Sequence, residues 1–321
     1  DRLRSRGLGD VYKRQPYIIK TENDFKSIQD GIKGGKSYKN KYFRLESDIK
    51  LSSSWEPLGT LKERADKPGN GTNILPFSGN IDGNGHTLTF AKGSKPLFGY
   101  VRDAKVSNLN IFGTYIDGYG LVENYVVDYG KDGKNWTDDD PKAVITAEKV
   151  TIKSGTRIHQ SGFLGGYASG IDHADFTNCT IEQGVTIGCN IDGTSAGLSN
   201  IGSFGGALNG TIKNCVSYAT VYGDSNVGGI AGIRGQSTDI FSIENCAFHG
   251  IINATGNNIG GILGSGYYMY NAPNAFGAVI KNCTVDGNIS GRNNIGGIFG
   301  AEAGICLLYT SPSPRDRSLS R

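Results

Sequence analysis

The side chains able to do chemistry in this sequence are few and scattered. Four histidines, His86, His159, His173 and His249, show no H-E-x-x-H pattern and no second ligand at metal-binding spacing, so each reads as a surface or turn residue. "GIKGGKS" (Gly31 to Ser37) approaches a phosphate loop, but Asp30 stands where GxxxxGK[ST] needs its first glycine, and no strand and helix frame it. "DGNGH" (Asp82 to His86) lacks the alternating oxygen ligands and closing Glu of a calcium loop and reads as a turn. No cofactor and no metal follows from these residues. Two stretches offer contact chemistry instead. In "DYGKDGKNWTDDDPK", Trp136 stands beside Asp138, Asp139 and Asp140; in "SGYYMYNAPNAFG", Tyr267, Tyr268 and Tyr270 cluster. Such rings stack on a sugar or a protein partner and carboxylates bind hydroxyls or a cation, whereas the plain alternatives are a solvated loop and local packing.

The elements that would carry these stretches are internal repeats. "NCVSYATVYGDSNVGGIAG" (Asn214 to Gly232), "NCAFHGIINATGNNIGGILG" (Asn245 to Gly264) and "NCTVDGNISGRNNIGGIFG" (Asn282 to Gly300) are one unit used three times. A looser copy runs from Asn178 to Gly206. Earlier, "VSNLNIFG" and "PLFGYV" follow the same pattern, with Leu109 at the Cys position. From Cys to the first Gly of the next pair the spacing is 13 (Cys215 to Gly228), 14 (Cys246 to Gly260) and 13 (Cys283 to Gly296). From the second Gly to the next Cys it is 9 (Gly206 to Cys215), 17 (Gly229 to Cys246) and 22 (Gly261 to Cys283). The first interval is therefore wall and the second tolerates loops.

Period-two alternation identifies the wall as strands. In "AVIKNCTVDGNI", Ile280, Cys283, Val285 and Ile289 point one way and Lys281, Thr284 and Asp286 the other, with Asn282 at a corner suited to left-handed φ. The glycine pairs Gly228/Gly229, Gly260/Gly261 and Gly296/Gly297 read as tight turns. Cys179, Cys215, Cys246 and Cys283 occupy one repeat position and should form an interior column of free thiols, because parallel neighbours hold Cβ atoms about 4.8 Å apart, too far for a disulfide. The expected fold is all-β: a parallel β-solenoid with a short N-terminal capping helix. That helix starts at Thr21 and presents Phe25, Ile28 and Ile32 on one face; "KYFRLESDIKL" (Lys41 to Leu51) reads as a strand after it.

The two ends read differently. "SRGLGDVYKRQ" (Ser5 to Gln15) and "CLLYTSPSPRD" (Cys306 to Asp316) back-translate to opposite strands of one DNA and resemble a translated sequencing adapter. The expected organisation is therefore residues 1–15 and 306–321 as adapter-derived scars lacking fixed structure, 16–51 as an N-terminal cap, and 52–305 as β-helix repeats cut within a repeat. The formal net charge of +3 rests on 33 basic and 30 acidic residues; without the eight basic and three acidic residues of the flanks, 25 face 27. No basic patch argues for nucleic acid. No apolar run reaches the roughly 18 residues of a membrane helix, so no membrane-inserted segment is expected and the chain reads as a monomer.

"FSGNIDGNGHTLTF" (Phe77 to Phe90) with "KPLFGYVRDAKVSNLNI" (Lys95 to Ile111) resembles the opening coils of right-handed β-helix modules in bacterial surface proteins. The "NNIGGILG" segments resemble the glycine-rich GLUG motif of such proteins. The resemblance covers most of 17–300, with 124–149 departing from it. It implies an extracellular or wall-attached protein, an adhesin or a protease-associated stalk, and carries no catalytic residues. Polysaccharide lyases and glycosidases also use β-helices, and a glycosidase needs two carboxylates about 5 to 9.5 Å apart. Here the equivalent outward positions are Thr177, Lys213, Glu244 and Lys281, and no carboxylate pair recurs. The reading is a non-catalytic binding module for glycan or host protein, with a lyase or glycosidase and a purely structural stalk as the alternatives.

Overall fold

The computed structural model describes residues 16–63, 72–125, 144–164, 173–235, 241–266, 278–301 and 306–308. Over these residues the chain is all-β apart from one helix, and its sheets are almost entirely parallel. Each repeat contributes one strand to each of several sheets, and each strand pairs with its counterpart in the next repeat. The longest sheet runs from Tyr17–Ile19 through Tyr42–Leu45, Asn80–Asp82, Ala104–Gly113, Val144–Ile152, His173–Thr177, Gly210–Lys213, Phe241–Glu244 and Ala278–Lys281 to Cys306–Leu308. A second sheet stacks Arg157–Ile158, Thr186–Ile187, Thr220–Gly223, Ile251–Ala254 and Asn288–Ser290. A third stacks Ile201–Gly202, Val227–Gly228, Asn257–Gly260 and Asn293–Gly296; a fourth, Gly205–Leu208, Ala231–Arg234, Leu263–Ser265 and Phe299–Ala301.

A one-residue phase shift lets this sequence bury both halves of a repeat. In the long sheet Phe241 and Ile243 face the core; two residues on, Asn245 is exposed, and Cys246 and Phe248 are buried again. Odd positions are inside before the Asn and even positions after it. The offset is possible because Asn178, Asn214, Asn245 and Asn282 all take left-handed φ, between 52° and 55°. Their amides then bond each other from repeat to repeat, with Asn214 to Asn178 at 3.3 Å and Asn245 to Asn214 and Asn282 to Asn245 both at 3.1 Å. A second ladder joins Asn200, Asn226, Asn258 and Asn294, again at left-handed φ, at 2.8 to 2.9 Å.

The interior is a continuous apolar column. Phe43, Phe77 and Phe98 stack in the early layers, and Phe163, Phe176 and Phe204 in the middle, with centroids 5.0 to 6.3 Å apart. The four repeat cysteines are free and lie in this column, with Cys179, Cys215 and Cys246 buried and Cys283 partly so. They are more than small apolar fillers. The Sγ of Cys215 donates to Phe176 O and Lys213 O, and that of Cys246 to Ile212 O and Glu244 O, while the Cys215 N–H reaches Cys246 Sγ at 3.5 Å. The thiols thus serve backbone groups at the corner that the left-handed Asn creates.

The helix spans Glu22–Lys33 with Thr21 at its N-cap. Its buried face is Phe25, Ile28, Gln29 and Ile32; Phe25 packs edge-on against Trp55, and Gln29 Oε1 accepts from Gly59 N at 3.0 Å. Asp24 reaches back to accept from the backbone of Lys20 and Thr21, both at 2.9 Å.

Several expectations need correction. Lys41 to Leu51 is two strands, Tyr42–Leu45 and Ile49–Leu51, turning at residues 46–48. The glycine pairs bend the chain between strands, as expected, but without left-handed φ, and apart from Gly297 they are needed for space. A Cβ on Gly228 would stand 1.8 Å from Ala231 O, one on Gly260 2.0 Å from Leu263 O, and one on Gly229 2.1 Å from Gly261 O in the next layer. The third and fourth sheets meet so closely there that no side chain fits. An antiparallel hairpin, Thr60–Glu63 with Thr72–Leu75, interrupts the parallel pattern. Cys306–Leu308 forms a parallel strand on Val279–Lys281, whereas no fixed structure is expected of 306–321; the free edge of Val279–Lys281 offers unpaired backbone groups that any extended segment can meet. Residues 1–15 lie outside the described set.

Candidate ligand-contact surface

Trp136, Asp138, Asp139, Asp140, Tyr267, Tyr268 and Tyr270 all lie outside the described residues. What the structure fixes is where their segments are rooted. Val122, at the start of Val122–Tyr125, pairs with Leu164, which pairs with Gly205; the column continues through Gly205↔Ala231 and Ala231↔Leu263 to Leu263↔Phe299. Segments 126–143, 165–172, 236–240 and 267–277 each leave the chain just after a strand of this one column. The Thr60–Leu75 hairpin springs from it too, since Leu58 and Phe77 flank it and both pair with Phe98–Val101. The roots of the Trp136 and Tyr268 segments are four steps apart, about 19 Å at a strand spacing of about 4.8 Å.

The described residues beside the first root are informative. Tyr100 is in register with Asn124, and Tyr119 and Glu123 lie on the same stretch of chain. Burial pushes the phenols of Tyr100 and Tyr119 above their ordinary range, and the nearby Glu123 charge adds to it. Two phenols and a carboxylate therefore lie close to Val122–Tyr125, after which the Trp136 segment begins. The residue spacing gave no hint of this, because only strand register brings Tyr100 to Asn124. On the fourth sheet, Ala207 and Ile233 form a small apolar cluster apart from the main core, beside buried Arg234 and Ser265.

The other singled-out groups are dispersed. His86 Nδ1 meets Asp48 at 3.2 Å, His173 Nε2 meets Asp175 at 3.0 Å, and His249 Nδ1 meets Asp286 at 2.6 Å while its ring stacks on Tyr218. His159 lies 3.0 Å from the Tyr115 hydroxyl. Each imidazole serves a separate pair. Among the described residues no group of three or more His, Cys, Asp or Glu is placed to hold a metal ion. Thr177, Lys213, Glu244 and Lys281 stand in one register column, with Lys213 Nζ 3.8 Å from Glu244, so charge alternates over the last three positions and no carboxylate pair forms in the row. Gly31 to Ser37 is the end of the helix and the turn beyond it. At Asp82 to His86, left-handed Asn84 and Gly85 make a turn in which Asp82 Oδ1 accepts from Asn84 N. No helix in the described part is long and apolar enough to cross a membrane.

No family model matches the chain, and no curated protein does. Among solved structures it is similar to a Bacteroides ovatus protein described as a "putative immunoglobulin A1 protease", at 19% identity over 90% of this chain and 84% of that one, with a TM-score of 0.52. At that identity the likeness is one of fold.

Proposed function

We propose that this chain is an extracellular or wall-attached bacterial surface module, a right-handed parallel β-helix of GLUG-type repeats that binds glycan or a host protein without transforming it. One observation carries the reading: on a wall of constant repeats, segments 126–143, 165–172, 236–240 and 267–277 and the Thr60–Leu75 hairpin are all rooted on a single strand column. Solenoids bind with surfaces raised on a rigid scaffold in this way. The contact residues on this reading are Trp136 with Asp138, Asp139 and Asp140 on one insertion and Tyr267, Tyr268 and Tyr270 on another, with Tyr100, Tyr119 and Glu123 at the first root. The fold likeness to a bacterial protein described as a "putative immunoglobulin A1 protease" is consistent with a surface setting. The adapter reading of residues 1–15 and 306–321 belongs to the same proposal.

The test is binding on glycan and host-protein arrays, followed by alanine at Trp136 and Tyr268. Binding should weaken by about tenfold or more with the circular-dichroism spectrum unchanged, each buried aromatic contact contributing about 1 to 2 kcal/mol. Release of unsaturated or reducing ends from uronic-acid polysaccharides, abolished by Asp139→Asn or Asp140→Asn, would instead establish a lyase or glycosidase. No binding and no release would leave a structural stalk.

A further inference from the structure

Tyr218 and Ile251 stand exposed on adjacent repeats, at 43% and 42%, and each has a described layer on either side. Their exposure therefore does not come from an end of the stack. Alternation turns Tyr218, Thr220 and Tyr222 outward while Ala219 and Val221 are fully buried. Register then sets His249, Ile251 and Asn253 beside them in the next layer, and Asp286, Asn288 and Ser290 in the layer after. The result is a grid of side chains on the second sheet and the corner before it, on a different sheet from the column that roots the insertions.

The grid is held in place before anything binds. Tyr218 stacks on His249, with centroids 5.0 Å apart, and Asp286 Oδ1 meets His249 Nδ1 at 2.6 Å. Three layers thus fix the exposed phenol ring, which lowers the ordering cost of binding. Its amides are free for a ligand. Asn214, Asn226, Asn245 and Asn258 bond from layer to layer, whereas the side chains of Asn253 and Asn288 make no hydrogen bond to any described residue.

A fixed aromatic ring, an exposed branched side chain and amides that both donate and accept suit a ligand with an apolar face and a rim of hydroxyls, which is a sugar ring. Charge narrows the choice. The grid carries Asp286 and no lysine or arginine; the positions beyond it, Asp224, Thr255 and Arg292, add one charge of each sign. On the layer before Tyr218, Lys153 and Glu182 close on each other as an ion pair. Nothing here gathers positive charge for a polyanion. At about 4.8 Å per layer and about 3.3 Å per residue, the grid measures about 10 Å by about 13 Å. That is about 130 Å², well short of the roughly 800 Å² per partner of a stable protein interface. A few sugar rings cover it.

We infer that this grid is a subsite for a neutral glycan, separate from the insertions and independent of whether they bind. A sugar ring packs against Tyr218 and Ile251, and its hydroxyls bond Asn253, Asn288 and the second carboxylate oxygen of Asp286.

Affinity electrophoresis of the full chain in gels containing xyloglucan, glucomannan or dextran tests this, with polygalacturonate as the anionic control. At least one neutral polymer should retard the chain. Ile251→Lys and Asn288→Ala alter exposed side chains that make no hydrogen bond, so the thermal midpoint should hold while the Kd for that polymer rises by about tenfold or more. The chain carrying Trp136→Ala and Tyr268→Ala should be retarded as before, which separates this site from the insertions. No retardation in any of the three neutral gels overturns the inference. So does retardation that Ile251→Lys and Asn288→Ala leave unchanged, or retardation by polygalacturonate alone. Sedimentation checks the remaining occupant: a dimer that Ile251→Lys dissolves would place a second copy on the grid and overturn the inference too.

Discussion

Asn258 donates from Nδ2 to the Oδ1 of Asn226 across 2.9 Å, and both residues hold left-handed φ, 63° and 56°. One side chain thus does two things, accepting a backbone conformation that costs other residues about 1 kcal/mol and bonding the layer beside it. Asn258→Ala should lose about 2 to 3 kcal/mol in chemical denaturation, from left-handed strain plus two ladder bonds worth about 1 kcal/mol each. Asn258→Gly keeps the conformation and should lose about 1 kcal/mol less. Equal losses for Ala and Gly would mean that strain plays no part.

Lys149 breaks the same rule. It sits at φ 54° between Asn108 and Asn178 in the column, where the layers of Asn108, Asn178, Asn214, Asn245 and Asn282 all place asparagine. Lys149→Asn should raise stability by about 1 kcal/mol by relieving the strain and joining the ladder on either side. A fall in the denaturation midpoint would contradict this account of the corner.

The glycine pairs separate space from conformation. A Cβ at Gly261 would stand 2.1 Å from Gly297 O in the next layer, whereas one at Gly297 meets nothing within 4 Å. Gly261→Ala should therefore cost about 3 kcal/mol, an overpacking penalty against backbone that cannot move aside. Gly297→Ala should stay within about 0.5 kcal/mol. Matched thermal melts of the two variants decide it.

Thiol chemistry tests the interior. Burial pushes the Cys215 thiol far above its usual range, with the flanking thiols of Cys179 and Cys246 adding to it, and burial also raises Cys189. In native protein at pH 8, Cys179, Cys189, Cys215 and Cys246 should resist alkylation for hours and Cys283 should react first. In denaturant without reductant all six cysteines of the chain, Cys306 included, should react. Failure to recover thiols at the four repeat positions would mean that neighbouring layers carry disulfides.

The wall of this fold was legible because its signals are local: alternation, a left-handed Asn and a fixed Cys-to-Gly spacing recur within about twenty residues. What escaped is set by neighbours distant in sequence. The ladder of Asn200, Asn226, Asn258 and Asn294 sits inside the segments read as glycine motifs. Its role appears only when layers stack. The glycine pairs looked like turns because a sequence shows the freedom of glycine and not the carbonyl that would strike its Cβ. Tyr100 and Glu123 are brought beside the Trp136 root by register alone. The proposed contact residues were chosen for chemistry in variable segments; strand pairing contributes the common column from which those segments arise.

The helix that covers the first layer should carry the acid sensitivity of that end. Backbone N–H donation from Lys20, then from Thr21, holds the Asp24 carboxyl below its usual range despite some burial. At Glu22 burial works the other way, but the Ser52 hydroxyl and N–H and the Lys26 ammonium outweigh it and the carboxyl is also lowered. A carboxylate whose folded pKa is depressed stabilises the fold above its unfolded pKa, about 3.9 for Asp and 4.3 for Glu. That contribution disappears as pH falls through the lower folded value. Between pH 7 and 5 both groups stay ionised in folded and unfolded chain, so their contribution should be flat. Below about pH 4 it should decline. Asp24→Asn should lower the thermal midpoint at pH 7, since it removes the charge that receives the two cap N–H groups. At pH 2.5 the gap to the unaltered chain should narrow, because the native carboxyl is then losing the same charge. A gap that stays constant from pH 7 to 2.5 would show that the cap depends on shape alone and not on the ionised carboxylate.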